Sequence, residues 1–319
     1  MINPTTSKAI KRTGGLPEIN SRQLAAVLAV AEYRSFIAAA AHLGISQPAL
    51  TLAIKRLEQT LKVQLFARST RNVRITAAGR EFVAMAERLL NDLKLGMRSL
   101  NELSDRQRGQ VIVTSLIELP ISRVIAEYGR RFPGIEIQLR EGFRDDVRDD
   151  IRSGLADFGI GNLGDLPDQF VTESLGVREL WVVLRNDHPL ARMRQIEFSA
   201  LKDVALVSFR PGAESRRLID AAATSAGFAL RHVVTVGLVY TLMNLVAEGV
   251  GVAVVSARRW PPGIDPKLVS RPLIRPRLSS EIGIMRLRDR DLSPAAAGLL
   301  ALALERLHIR PSRGRRVGR

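Results

Sequence analysis

The first regular pattern along the chain is helical. Leu24, Val27, Leu28 and Ala31 follow i, i+3, i+4, i+7 and predict a helix over 21–33. An alanine-rich stretch over 36–43 predicts a second, short helix, which Gly44 can end in a left-handed conformation. Ser46 then suits an N-cap, and Pro48 is tolerated in the first turn of a third helix. That helix has two faces. Leu50, Ile54, Leu57 and Leu61 are spaced 4, 3 and 4 and form a core stripe, while Gln47, Thr51 and Lys55 are spaced 4 and 4 on a polar outer face. Small side chains at Ala38–Ala41 let neighbouring helices approach closely. A short helix, a tight turn and an amphipathic helix with a hydrogen-bonding face predict a helix-turn-helix over about 36–55.

The pattern then changes. Residues 66–76 carry three arginines and β-branched residues around a polar tip, which predicts a small β-hairpin, or wing. Over 77–104 one long helix is expected. Its Val83, Ala86, Leu90, Leu93, Met97 and Leu100 are spaced 3, 4, 3, 4 and 3, a seam suited to pairing with a second helix or to a contact within the chain. Arg106–Gly109 makes a polar break. Beyond it strands and helices alternate. Strands are expected at 111–114, 135–139, 158–160 and from 177, then near 204–208, 231–236 and 251–255. Helices are expected at 118–131, 144–153, 214–226 and 240–248. This rhythm predicts α/β architecture with mainly parallel sheets.

Composition adds one strong signal. Lys and Arg number 48 against 32 Asp and Glu, a formal net charge of +16 over 319 residues. Such an excess favours a polyanionic partner. The length suits two or three domains. There is no cysteine, and the four histidines, His42, His188, His232 and His308, are scattered. Thiol chemistry is therefore excluded, and neither a metal site nor a cofactor is expected. Residues 1–17 read as a disordered basic extension without the apolar core of a signal peptide, and 310–319 as a disordered basic tail. No apolar run reaches the roughly 18 residues of a membrane span, so a cytoplasmic protein without a membrane partner is expected.

The residues Ser35-Phe36, Ala39-Ala40, Leu43, Ser46–Thr51, Ile54, Leu57-Glu58, Leu61, Leu65-Phe66, Arg68 and Thr76–Gly79 carry a specific resemblance to the LysR-type transcriptional regulators. Weaker matches follow in Phe132-Pro133-Gly134, Gly154–Asp157, His188-Pro189-Leu190 and Val246–Ala253, so the resemblance spans about 18–309. It implies a winged helix-turn-helix over 18–76 and a linker and dimerisation helix over 77–106. It also implies a periplasmic-binding-protein-like α/β effector domain over 109–309, with subdomain I at 110–176 plus 271–309 and subdomain II at 177–270. The implied partners are double-stranded promoter DNA, a small-molecule effector between the subdomains, and further copies of the chain in a homodimer or homotetramer.

Carried onto this chain, the resemblance makes Gln47 a base-edge contact, because an amide can pair with adenine in a bidentate way. Ser46 and Thr51 become phosphate or base contacts, and Lys55, Arg56 and the wing residue Arg71 become backbone contacts. Ser35 and Pro48 complete the DNA-binding set, Pro48 chiefly by setting the helix start. Ala49, Leu50, Ile54 and Leu57 are assigned to the core. For the effector, Ser115 falls where the family often places a hydroxyl at a helix N-terminus, a natural anion position. Thr114, Asn162 and Ser208 are the other candidates, each equally readable as a cap or turn residue. One departure bears on this pocket: the usual Leu-Pro of the following helix is Ile121-Ser122 here, and Leu119-Pro120 comes earlier.

Other function classes lack support in the sequence. No nucleophile elbow or phosphate loop suits an enzyme. Gly159–Gly164 has dinucleotide-motif spacing but is followed by Asp165-Leu166-Pro167 rather than a helix. A secreted solute-binding module would need a signal or anchor. A sequence-blind structural DNA binder would not need the α/β half.

Overall fold

The structure is a computed structural model and describes residues 17–68, 73–104, 109–116, 121–256 and 266–307. The expected terminal extensions (save residue 17), Arg71, Leu119-Pro120 and His308 lie outside the described residues. The chain divides into two compact units, Met1–Met97 and Arg98–Arg319.

Helices α1 (Ser21–Tyr33), α2 (Phe36–Leu43) and α3 (Gln47–Leu61) build the first unit. Each begins at a side-chain cap. Asn20 and Gln23 form a reciprocal capping box, Ser35 Oγ accepts from the Ala38 N–H at 3.3 Å, and Ser46 Oγ accepts from the Ala49 N–H at 3.3 Å. Gly44 closes α2 at φ 65°, a conformation a side chain would strain. Leu50, Ile54 and Leu57 of α3 are fully buried against Val27 and Val30 of α1 and Ala39 of α2. Each such leucine contributes about 1.5–3 kcal/mol. The expected wing is a short antiparallel pair, β1 (Phe66–Arg68) and β2 (Val73–Ile75), and α4 (Ala77–Ser104) follows. Ala49, expected in the core, is exposed. At about 100° per residue it sits about 100° from Leu50, on the outer side of α3.

Among its described residues the second unit holds sheets of five, four and two strands. The first has strand order β4-β3-β5-β13-β6, formed by β3 (Gly109–Leu116), β4 (Ile135–Gly142), β5 (Phe158–Asn162), β6 (Phe170–Glu179) and β13 (Ser279–Leu287). Helices α5 (Ser122–Arg131) and α9 (Pro294–Arg306) pack in one core with Val111, Val113 and Phe158. Helix α6 (Arg144–Arg152) places Val147 and Ile151 in another, against Phe170 and Met285.

The second sheet has order β11-β7-β12-β8, from β7 (Trp181–Arg185), β8 (Ile196–Glu197), β11 (Ala253–Val255) and β12 (Leu268–Ile274). A parallel pair, β9 (Ala205–Phe209) and β10 (Arg231–Val236), touches it through a Leu206–Val252 bridge. Helix α7 (Glu214–Ser225) packs its Ile219 and Ala223 with Leu206, and α8 (Val239–Ala247) packs its Leu242 and Val246 with Val207. No single helix among the described residues is long and apolar enough to cross a membrane.

The expectation of mainly parallel sheets is corrected. β3 pairs in parallel with β4 and β5, but β13 runs antiparallel to both β5 and β6, and β7 runs antiparallel to β11 and β12. The cause is the double crossing between sheets. The chain leaves the first sheet through β6 and returns through β13, so outgoing and incoming strands lie side by side in opposite directions. Hydrophobic periodicity records a buried strand but not its direction.

Candidate functional site

In the first unit the exposed face of α3 is wider than the polar stripe of Gln47, Thr51 and Lys55. Gln47, Pro48, Lys55 and Arg56 are exposed, and Thr51 is half-buried. Ser35 and Ser46 use their oxygens as cap acceptors, which leaves each hydroxyl hydrogen available to an outside acceptor. Ala49 and Leu52 are also exposed and extend the face with apolar surface. Leu52 escapes a reading of the sequence because an apolar residue in an amphipathic helix suggests core. Glu58 Oε1 accepts from the N–H groups of Leu65 at 2.8 Å and Phe66 at 3.1 Å, so β1 is tied to the C-terminal half of α3.

In the second unit a cleft open to solvent is lined by Leu116, Phe143, Asn162, Glu214, Ser215 and Ser280 among others. Asn162, at the end of β5, is 3% exposed. Its Nδ2 donates to Ser280 Oγ at 3.0 Å, while Oδ1 is buried without a hydrogen-bond partner. A buried amide oxygen left unpaired is costly unless a ligand or water meets it. Arg148 holds the end of β5, donating to the carbonyls of Asn162 at 3.4 Å and of Gly164. Burial holds its guanidinium below the usual arginine range, and Arg144 adds to that effect. Glu214 accepts from Arg217 Nε at 3.0 Å and lies 3.3 Å from Arg144 Nε. The hydrogen bond to Glu214 raises Arg217 above the ordinary arginine value.

Of the four effector candidates, Asn162 lines this cleft. Thr114 is buried and donates to Asp150 Oδ2 at 3.0 Å. Ser115 is buried and donates to the Leu116 carbonyl at 3.3 Å. Ser208 lies 2.7 Å from His232 Nδ1, and His232 Nε2 lies 2.9 Å from Asp220 Oδ1, whose other oxygen accepts from Arg216 Nε at 2.5 Å. Ser208 thus begins a polar relay between β9, β10 and α7. The additional lining residues Glu214, Ser215 and Ser280 carry no local motif, because they meet Asn162 only through the crossing chain.

The relay has a consequence for pH. Burial, reinforced by Arg216, holds His232 below the ordinary histidine value of 6.5 against the pull of Asp220. The unfolded chain therefore takes up a proton near 6.5 that the folded chain refuses. Stability is full above that pH and falls as the pH drops below it, by at most about 1.4 kcal/mol per pH unit for one proton. Burial depresses His188 in the same direction. Thermal unfolding of the full chain between about pH 7.5 and 5.5 is expected to show this loss, and His232→Gln to shrink it. An identical slope in the variant would show that His232 does not carry it.

Comparisons with known proteins agree with this geometry. Residues 21–80 match the family described as bacterial regulatory helix-turn-helix protein, lysR family, and 111–308 match the LysR substrate binding domain. The HTH-type transcriptional regulator YfeR of Shigella flexneri is 32% identical over 286 residues, covering 87% of this chain and 91% of its own. The HTH-type transcriptional regulator CbbR of Xanthobacter flavus is 30% identical over 296 residues, covering 89% and 87%. Full-length CbnR, solved in complex with its target DNA, shares the fold at a TM-score of 0.62 and 20% identity, over 89% of this chain and 98% of its own. The chain belongs to the LysR family of transcriptional regulators, DNA-binding proteins with an effector-binding domain, and is not an enzyme.

Proposed function

We propose that α3 enters the major groove of promoter DNA, with Gln47 reading a base edge, Ser46 and Thr51 contacting phosphate or bases, and Lys55 and Arg56 holding the backbone. The observation that carries this is the N-terminus of α3, where the cap at Ser46 sets an exposed Gln47 in the first turn and the cations follow a little over two turns later. Pro48 lies within this turn, Ser35 caps α2, and Arg71 is assigned to the backbone from the wing. That CbnR was crystallised on its target DNA supports the same use of this fold.

The regulator acts in the cytoplasm as a homodimer or homotetramer. Pairing through α4 is supported by the exposure of Leu93, Met97 and Leu100, the second half of the expected seam, spaced 4 and 3, whereas Val83, Ala86 and Leu90 of its first half pack in the head's own core. A small-molecule effector sits in the cleft at Asn162, where the unpaired amide oxygen favours a ligand that donates a hydrogen bond. The subdomain limits, 110–176 with 271–309 and 177–270, cut through β6 and β12 and lie about three to four residues before the crossings after Glu179 and between Ile274 and Ser279.

Selection of duplexes from a random library by the full chain tests the DNA reading. Enrichment of a two-fold symmetric site is expected at physiological salt. Gln47→Ala is expected to cost about 1–3 kcal/mol and to relax preference at one base pair per half-site. Absence of any enriched sequence would overturn the proposal, and an unchanged preference would remove Gln47 from base reading.

A further inference from the structure

Leu52 is 48% exposed on α3 and, among the described residues, is not part of the head's apolar core cluster. At about 100° per residue it points about 170° away from the centre of the stripe formed by Leu50, Ile54 and Leu57. Its neighbours one helical turn away are Pro48 and Ala49 on one side and Lys55 and Arg56 on the other, all exposed. The leucine therefore stands in the middle of the outward face, with a small apolar shelf before it and two cations after it. A lone exposed leucine is ordinary on a protein surface. This one is set apart by its place among the residues that approach DNA and by its continuity with Pro48 and Ala49.

What can such a group meet in a major groove? It neither donates nor accepts, so phosphates and polar base edges offer it nothing. The apolar group on the major-groove edge is the C5-methyl of thymine. Lys55 and Arg56 bring the backbone to this face, and water leaves both the leucine and a facing methyl as the helix docks. We propose that Leu52 is a specificity-determining residue that selects thymine in each half-site by packing on its methyl group. This rests on the reading of promoter DNA by α3 and adds a base preference that Gln47 cannot supply.

The test uses the full chain and the duplex enriched from the random library. Each thymine of a half-site is replaced in turn by deoxyuridine, which removes only the methyl, and affinity is followed by fluorescence anisotropy. The wild-type chain is expected to lose about fourfold at one thymine or two adjacent ones, the worth of one buried methyl. Leu52→Ala is expected to bind the parent duplex more weakly by a similar factor and to become indifferent to uridine at that position. Its thermal melting should match the wild type, since the side chain supports no core.

If uridine has no effect on the wild type, or the same effect on both proteins, Leu52 does not read thymine, while selective DNA binding stands. A change in oligomeric mass without a change in base preference would assign Leu52 to a contact between copies and overturn the inference. If no duplex is enriched at all, the DNA reading falls and this inference falls with it.

Discussion

Gly79→Ala is expected to unfold the DNA-binding head under conditions where the rest of the chain stays folded. Gly79 is the third residue of α4, and a Cβ there would stand 2.1 Å from the Leu65 carbonyl oxygen and 2.8 Å from Ile75 Cγ1. The nearer atom is backbone, so no rotamer change relieves it. Nor can the two segments drift apart cheaply. Thr76 N–H donates to the same Leu65 carbonyl at 3.0 Å, and Thr76 Oγ1 donates to the Gln64 carbonyl at 2.6 Å while accepting from Gly79 N–H at 2.9 Å. Adding the methyl means breaking these bonds or overpacking the junction of wing and helix. We expect a cost of about 3 kcal/mol or more, a large share of the stability of a small domain. Hydrogen exchange followed by mass spectrometry checks it. Peptides within 21–68 should lose protection and those within 121–256 should keep it. Full protection of the head in the variant would show that the close approach constrains nothing.

Asp157→Ala is expected to cost the second unit about 3 kcal/mol. Asp157 is 3% exposed, just before β5. One carboxylate oxygen accepts from the Ile112 N–H at 2.7 Å and the other lies 3.5 Å from Arg98 Nη2, while its backbone N–H donates to the Ile112 carbonyl at 2.8 Å. The side chain thus continues the β3–β5 ladder one step past its last backbone pair. Alanine would leave a strand N–H and a guanidinium without their acceptor. Asp157→Asn keeps an acceptor for Ile112 and gives up only the charge, so about 1 kcal/mol is expected. Urea unfolding of the two variants separates these contributions. Equal midpoints for Ala and Asn would show that the bond to Ile112 adds nothing to stability.

The helical head was the most legible part of the sequence. Its caps at Ser35 and Ser46, its stop at Gly44 and the stripe of Leu50, Ile54 and Leu57 are local features, set within one or two turns of chain. The same local logic misplaced Ala49, because its small apolar side chain fits core and surface alike. In the second unit the elements near 144–153, 214–226 and 231–236 were legible from their own periodicity. The hydroxyls of Thr114, Ser115 and Ser208 were visible as residues, but their partners were not. Asp150 and His232 lie 36 and 24 positions away, and no spacing rule connects them.

By itself, then, the sequence determined where the head's helices begin and end, that Leu50, Ile54 and Leu57 are buried, and that a basic DNA-binding head precedes an α/β half. Each of these follows from interactions within a few residues and from total charge. Only the tertiary structure decided the antiparallel direction of β13 and the meeting of Asn162 with Ser280 118 positions away. Those depend on which distant surfaces the folded chain brings together, and burial of apolar area, which drives that choice, carries no direction and no partner label in a one-dimensional pattern.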